Sequence, residues 1–168
     1  MSALLLPLVA VVPSSPATAA GIGTVMEVRI DPAGAQWGEA VAAAQIVGST
    51  GIGDTVWADG AYGGYSGQRW NLVVREIDSA GRWTVELRNL RYSNICLDEY
   101  IGQGVVKLYT CNGKANQRWK LWGRGKLSNG IEVFNLENKA TENCLFVGFL
   151  SAYPGSCLDD PLFAIVKL

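Results

Sequence analysis

The chain has no histidine among its 168 residues. Its absence removes the Ser-His-Asp and Cys-His nucleophile arrangements, and with them the zinc-binding His-Glu-x-x-His motif. No Cys-x-x-Cys knuckle is present either, so the four cysteines do not read as a zinc site. Gly51-Ile52-Gly53 lacks the third glycine and the following helix of a dinucleotide fingerprint, and it reads as a turn. Charge is scarce and balanced: 14 basic and 15 acidic residues give a net charge of −1, with no basic stripe. That argues against nucleic acid as a partner and against an anionic membrane surface. No later segment is long and apolar enough to span a bilayer, so membrane insertion is not expected. Two carboxylates are enough to hydrolyse a glycosidic bond, but nothing singles out a pair among the acids. The expectation is a protein that is not an enzyme and carries no cofactor. A glycosidase is the alternative that turnover of a chromogenic galactoside would reveal.

Residues 1–20 contain no charged residue. Ala3 to Val12 form a short apolar run, broken by Pro7 and ended by Pro13-Ser14-Ser15-Pro16, and Ala17-Thr18-Ala19 supplies the small residues a signal peptidase cuts. The run is too short for a membrane span. Residues 1–20 are therefore expected to be a secretory signal peptide, although its usual positively charged start is missing. Residues 21–168 are expected to form one domain of about 148 residues, enough to bury roughly 68–70% of the unfolded chain's surface. A secreted, extracellular location would place the cysteines in an oxidising compartment.

What the chain does have is a repeat. Cys96-Leu97-Asp98 is followed by Val106-Lys107-Leu108-Tyr109-Thr110-Cys111 and then by Asn116-Gln117-Arg118-Trp119. The same closing tripeptide occurs earlier as Gln68-Arg69-Trp70, and a degenerate copy of the cysteine pair follows as Cys144-Leu145-Phe146 to Cys157. Val85 to Leu90 and Glu132 to Leu136 alternate apolar and polar residues, the signature of half-buried strands. Trp70 to Val74 and Trp119 to Trp122 read as strands too, and a first strand is expected near Val25–Ile30. Asn112-Gly113 and Asn129-Gly130 are tight-turn signals. Short strands between turn signals, with no sustained helical period, predict an all-β domain. The first copy is weaker, with Ala44-Gln45-Ile46 standing where Cys-Leu-Asp is expected. The Ala-rich Trp37 to Gln45 stretch has room for a short helical turn. A repeat of roughly 40–50 residues also suits propeller blades, but propellers need about four blades or more to close, and this chain has length for three.

At these residues the sequence resembles the ricin-type lectins, whose repeats read Cys-Leu-Asp, a short strand, Cys, and Gln-x-Trp. The resemblance covers residues 25–168. It implies a β-trefoil of three degenerate repeats, at about 25–74, 75–122 and 123–168, that binds sugars. Four cysteines can pair in three ways. Pairing Cys96 with Cys111 and Cys144 with Cys157 puts one local bridge in each of the last two repeats, each stabilising by roughly 3 kcal/mol in the chain-entropy model. The resemblance also implies that Trp70 and Trp119 pack the centre of the fold, with Phe163 standing in for the third tryptophan. Carried over residue by residue, the sugar-binding acid is Asp98, the aromatic two residues before the second cysteine is Tyr109, and the amide before Gln-x-Trp is Asn116, with Gln117 beside it. Such a set suits a pyranose, whose apolar face takes an aromatic ring and whose hydroxyls take a carboxylate and an amide. Lys107 stands where many members have Gln, which bears on rim contacts and sugar preference. The other two sites look disabled: Phe146 replaces the acid and Gly155 the aromatic in the third repeat, and Ile46 and Gly67 replace the acid and the amide in the first. Cys157-Leu158-Asp159 mimics the motif with too little chain after it for another repeat.

The expected function is a small secreted carbohydrate-binding module for galactose-type glycans, with one intact site in the middle repeat. The alternative is a protein-interaction trefoil with vestigial sugar sites, resembling the receptor-binding subunits of cytolethal distending toxins or the trefoil proteinase inhibitors. Its partner would be a protein or a toxin subunit. The two lost pockets, Lys107, and the aromatics Trp57, Tyr62 and Tyr65 of the first repeat favour that alternative.

Overall fold

The computed structural model describes residues 20–33, 44–47, 53, 55–58, 66–92, 94–128, 130–148 and 151–168. Among them are twelve strands and no α-helix: β1 Val25–Ala33, β2 Ala44–Val47, β3 Thr55–Ala58, β4 Trp70–Ile77, β5 Trp83–Asn89, β6 Ile95–Tyr100, β7 Val105–Thr110, β8 Trp119–Lys126, β9 Glu132–Asn138, β10 Cys144–Val147, β11 Ala152–Gly155 and β12 Leu162–Lys167. Short 3-10 turns at Ser66–Gln68, Ala115–Gln117 and Cys157–Asp159 lead into β4, β8 and β12.

Six strands close into a barrel. β1 pairs with β4, β4 with β5, β5 with β8, β8 with β9, β9 with β12, and β12 returns to β1, every pair antiparallel. The other six strands form three hairpins, β2–β3, β6–β7 and β10–β11. β7 touches both neighbouring hairpins, through Lys107 opposite Thr55 and Val106 opposite Ala152.

Period-two alternation explains why these segments form a barrel. Val28 and Ile30, Trp70, Leu72 and Val74, Val85 and Leu87, Trp119 and Leu121, Leu136, and Phe163 all turn inward to one core cluster. Leu97, Val106, Leu108, Leu145, Ala152 and Val56 extend that cluster into the hairpins. Trp70, Trp119 and Phe163 are at most 2% exposed, which places their rings in the centre of the molecule. Sulfur bonds join Cys96 to Cys111 and Cys144 to Cys157, the pairing that the sequence reading expected. No helix among the described residues is long and apolar enough to cross a membrane.

The structure departs from the sequence reading in two places. β4 continues to Ile77 and β8 to Lys126, beyond Val74 and Trp122 where the sequence reading ended those strands. Register shifts at Val74/Glu76 and Gly123/Gly125 mark bulges that let these strands bend and run on. The helical turn expected over Trp37 to Gln45 ends in strand β2 from Ala44, and its earlier residues lie outside the described set, as do residues 1–19. Cys157-Leu158-Asp159 is a 3-10 turn capped by the Ser156 hydroxyl, which accepts from the Leu158 amide.

Candidate functional site

Hairpin β6–β7 sets the site by its register. Cys96 faces Tyr109, Asp98 faces Lys107 and Tyr100 faces Val105, while Leu97 and Leu108 point the other way into the core. Above the hairpin an open cavity of about 310 Å³ is lined by Asp98, Tyr100, Ile101, Tyr109, Asn112, Lys114 and Asn116.

The floor is a hydrogen-bonded carboxylate. Asn116 Nδ2 donates to Asp98 Oδ1 at 2.9 Å, and Gln117 Nε2 donates to Asp98 Oδ2 at 2.8 Å. Gln117 is fully buried. Its Nε2 also reaches the Thr110 carbonyl at 2.9 Å, and its Oε1 accepts the Asn112 amide at 2.8 Å. Gln117 thus ties the strand bearing Tyr109 to the loop bearing Asn116, and it orients the acid from behind rather than facing solvent. Asn112 accepts the Lys114 amide at 2.9 Å, which fixes the loop that carries Lys114. A carboxylate accepts about four hydrogen bonds, so the two made inside the protein leave lone pairs for a ligand. Burial pushes the Asp98 carboxyl above the usual aspartate range. The bonds from Gln117 and Asn116 oppose that shift, Glu99 adds to it, and Lys114 opposes it.

The walls are aromatic. The Tyr100 and Tyr109 rings lie 6.5 Å apart with their planes tilted by 58°, and both are partly exposed. With Ile101 at the tip, they form an apolar surface beside the polar floor. Such a site covers a ligand's C–H face while accepting its hydroxyl protons. One grouping of metal-type side chains occurs among the described residues, Glu86 with Cys96 and Cys111. Both of its sulfurs are spent in a disulfide and offer no thiolate.

Of the residues that the sequence reading assigned to sugar binding, Asp98, Tyr109 and Asn116 meet at the cavity, and Gln117 sits behind them. Lys107 faces Asp98 across the hairpin but is not among the lining residues. Tyr100, Ile101, Asn112 and Lys114 were not anticipated. The alternation that puts Asp98 on the open face of β6 also puts Tyr100 there, a signal readable in the sequence. Asn89 and Asn138 were missed as well. Each ends a barrel strand and donates to the backbone of the preceding 3-10 turn, at the Gly67 and Asn116 carbonyls.

The third hairpin is filled. Phe146, at the position matching Asp98, stacks on Tyr153 at 5.4 Å with planes 12° apart, and a Cβ at Gly155 would lie 2.6 Å from its ring. In the first copy the side chains of Ile46 and Trp57 lie outside the described set, as do Tyr62 and Tyr65 with the aromatic patch expected there.

A closed six-stranded barrel capped by three hairpins, with a carboxylate and two tyrosines on the middle hairpin, defines an all-β protein of the β-trefoil type. The model of the ricin-type β-trefoil lectin domain-like family matches residues 66–156, and the chain belongs to that family. No curated protein matches it. Among solved structures, the complex of lysenin with phosphocholine is similar at a TM-score of 0.55 and 16% identity, over 85% of this chain and 44% of lysenin. This chain thus spans less than half of that protein. The apo BEL β-trefoil gives a TM-score of 0.58 at 13% identity, over 85% of this chain and 93% of BEL. SeviL bound to asialo-GM1 saccharide gives 0.54 at 14%, over 86% and 98%. At these identities the likeness is one of fold.

Proposed function

We propose that this protein is a non-enzymatic carbohydrate-binding module with a single galactose-type site on its middle hairpin. In this reading the fold is three degenerate trefoil repeats, two closed by Gln-x-Trp and the third by Phe163. Asp98 accepts from adjacent sugar hydroxyls, Tyr109 covers the apolar face of the ring, and Asn116 fixes its orientation. Gln117 holds the acid in place, and Lys107, opposite Asp98, tunes the rim. The observation that carries the reading is the Asp98 carboxylate, held by Asn116 and Gln117 at the floor of an open, aromatic-walled cavity. Family membership and the saccharide bound by SeviL support it. The chain is exported, residues 1–20 are removed, and the domain is 21–168. A shallow single site of this kind holds a sugar at about millimolar, roughly 4 kcal/mol, so avidity comes from further copies or a second module. A glycan array followed by calorimetry with galactosides tests the function, and N-terminal sequencing of secreted material tests the export.

One observation favours a second reading, a protein-interaction trefoil with a partner protein or toxin subunit. The stacked Phe146 and Tyr153 fill the third site and leave Tyr153 45% exposed. A chain that binds no glycan on the array would move the conclusion to that reading.

A further inference from the structure

One end of the barrel is covered by the hairpins; the other is open. All six barrel strands contribute to a cavity of about 570 Å³ at the open end. Val28, Leu72 and Leu121 form its buried floor, and the half-buried Met26, Phe134 and Ile165 its walls, with Trp83 at the edge. The β8 bulge leaves one stretch of wall without side chains, at Gly123 and Gly125. A Cβ added at Gly125 would meet nothing within 4 Å.

The rim is apolar and basic. Five of the ten large exposed apolar residues among the described ones stand at this end: Ile22, Val25 and Leu168 by the β1 and β12 termini, and Ile77 and Ile131 beside the β4–β5 and β8–β9 turns. Three cations line the cavity, Arg82, Lys126 and Lys167, against one carboxylate, Glu132. Arg82 pairs with Asp78 at 2.6 Å and Lys126 with Glu132 at 3.6 Å, while Lys167 enters no ion pair among the described residues.

We propose that the barrel mouth binds the hydrocarbon chain of a free fatty acid, with the chain against Leu72 and Leu121 and the carboxylate at Lys167. The cavity lies within the range of roughly 300–1,000 Å³ that small ligands fill. Each methylene withdrawn from water onto its apolar wall adds to binding, and Lys167, the lining cation that enters no ion pair among the described residues, selects an anionic head. β5 begins at Trp83 in the mouth and ends at Asn89 beneath hairpin β6–β7, so the mouth and the Asp98 cavity lie at opposite ends of one strand. The two sites can be filled together.

The test is calorimetric titration of the purified chain with dodecanoate below its micelle-forming concentration, with tryptophan fluorescence recorded alongside. The expected result is saturable one-to-one binding that acetate does not reproduce and that perturbs the fluorescence of Trp83. Ile165→Trp, which fills the cavity, should weaken binding at least about tenfold. Met26→Trp blocks it from the opposite strand if the first variant does not fold. Lys167→Glu, on the exposed end of β12, should weaken dodecanoate about threefold and improve binding of dodecyltrimethylammonium. Non-saturable heats, undiminished binding by a cavity-filled variant with a normal melting transition, or equal affinity for the anionic and cationic amphiphiles would each overturn the proposal. So would co-sedimentation with phosphatidylserine vesicles without binding of free dodecanoate, which would make the mouth a membrane contact.

Discussion

Asp98 carries two demands that pull on its ionisation in opposite directions. In the proposed site, ligand hydroxyls and the amides of Asn116 and Gln117 are best met by the charged form, while its burial favours the neutral acid and holds its carboxyl above the usual range. Galactoside binding should therefore fall away on acidification at a higher pH than an exposed aspartate would give, and calorimetry across a pH series checks this. The sign for stability is the reverse of the common carboxylate case. A raised folded-state pKa contributes stability below the unfolded value and loses it as pH rises through the folded value, so ionising Asp98 costs the fold stability in that window. Asp98→Asn should abolish detectable galactoside binding, since losing a partner for buried polar groups costs roughly 1–3 kcal/mol against a weak site, and Tyr109→Ala should do the same by removing the aromatic cover over the sugar's apolar face. The asparagine is not silent for the fold, because one of the donors from Asn116 and Gln117 would then face an amide nitrogen, and a modest drop in melting temperature is expected. Trp119→Ala should cost roughly 3–5 kcal/mol in denaturant unfolding, since its ring is fully buried and its Nε1 donates to the Leu97 carbonyl at 3.2 Å.

In the proposed repeat reading, hairpins β6–β7 and β10–β11 are equivalent elements put to different ends. Both are stapled by a disulfide, across sequence separations of 15 and 13 residues. Replacing Cys96 and Cys111 together by alanine should lower unfolding stability by roughly 3 kcal/mol, read by chemical denaturation, while the ladder between the two strands persists. In β10–β11 the Phe146 ring occupies the space a side chain at 155 would need. Gly155→Ala should therefore lower the melting temperature in the native background and not in Phe146→Ala, and a double-mutant cycle measures that coupling. Much at this scale was legible in the sequence. Strands starting at Trp70 and Trp119 follow from the Gln-x-Trp motif, and alternation marks β5 and β9. The strand ends were not legible, because β4 and β8 extend through bulges in which the alternation slips by one residue. Asp98, Tyr109 and Asn116 were reached through the resemblance to ricin-type lectins, carried over position by position. Ile101, Asn112 and Lys114 come to the cavity through the shape of the tip and the loop after Cys111, and no local pattern records that. Phe146 was readable as the loss of an acid, but not as the group that fills the hairpin.

The whole molecule is tied across the barrel by carboxylates of the opposite kind to Asp98. Glu76 on β4 accepts Lys139 Nζ and Arg118 Nη1, both at 2.6 Å, and these bonds, led by that from Lys139, hold its carboxyl below the usual range. Burial raises the Glu86 carboxyl, but the Arg75 and Arg88 guanidiniums outweigh it and the net shift is downward. Depressed carboxyls contribute stability above their unfolded values and lose it as pH falls through the folded ones. Melting temperature should hold near neutral pH and drop steeply in acid, with Glu86→Gln flattening that dependence. β1 and β12 are antiparallel neighbours, with Val28 opposite Lys167, so the start of the first barrel strand and the end of the last meet on one rim. A cylinder closed by pairing its first strand with its last has no preferred seam. Residues 20–168 joined end to start through a short linker, and cut instead in the turn between Lys126 and Glu132, should fold to the same barrel as a circular permutant, keep both disulfides, and bind galactosides with unchanged affinity.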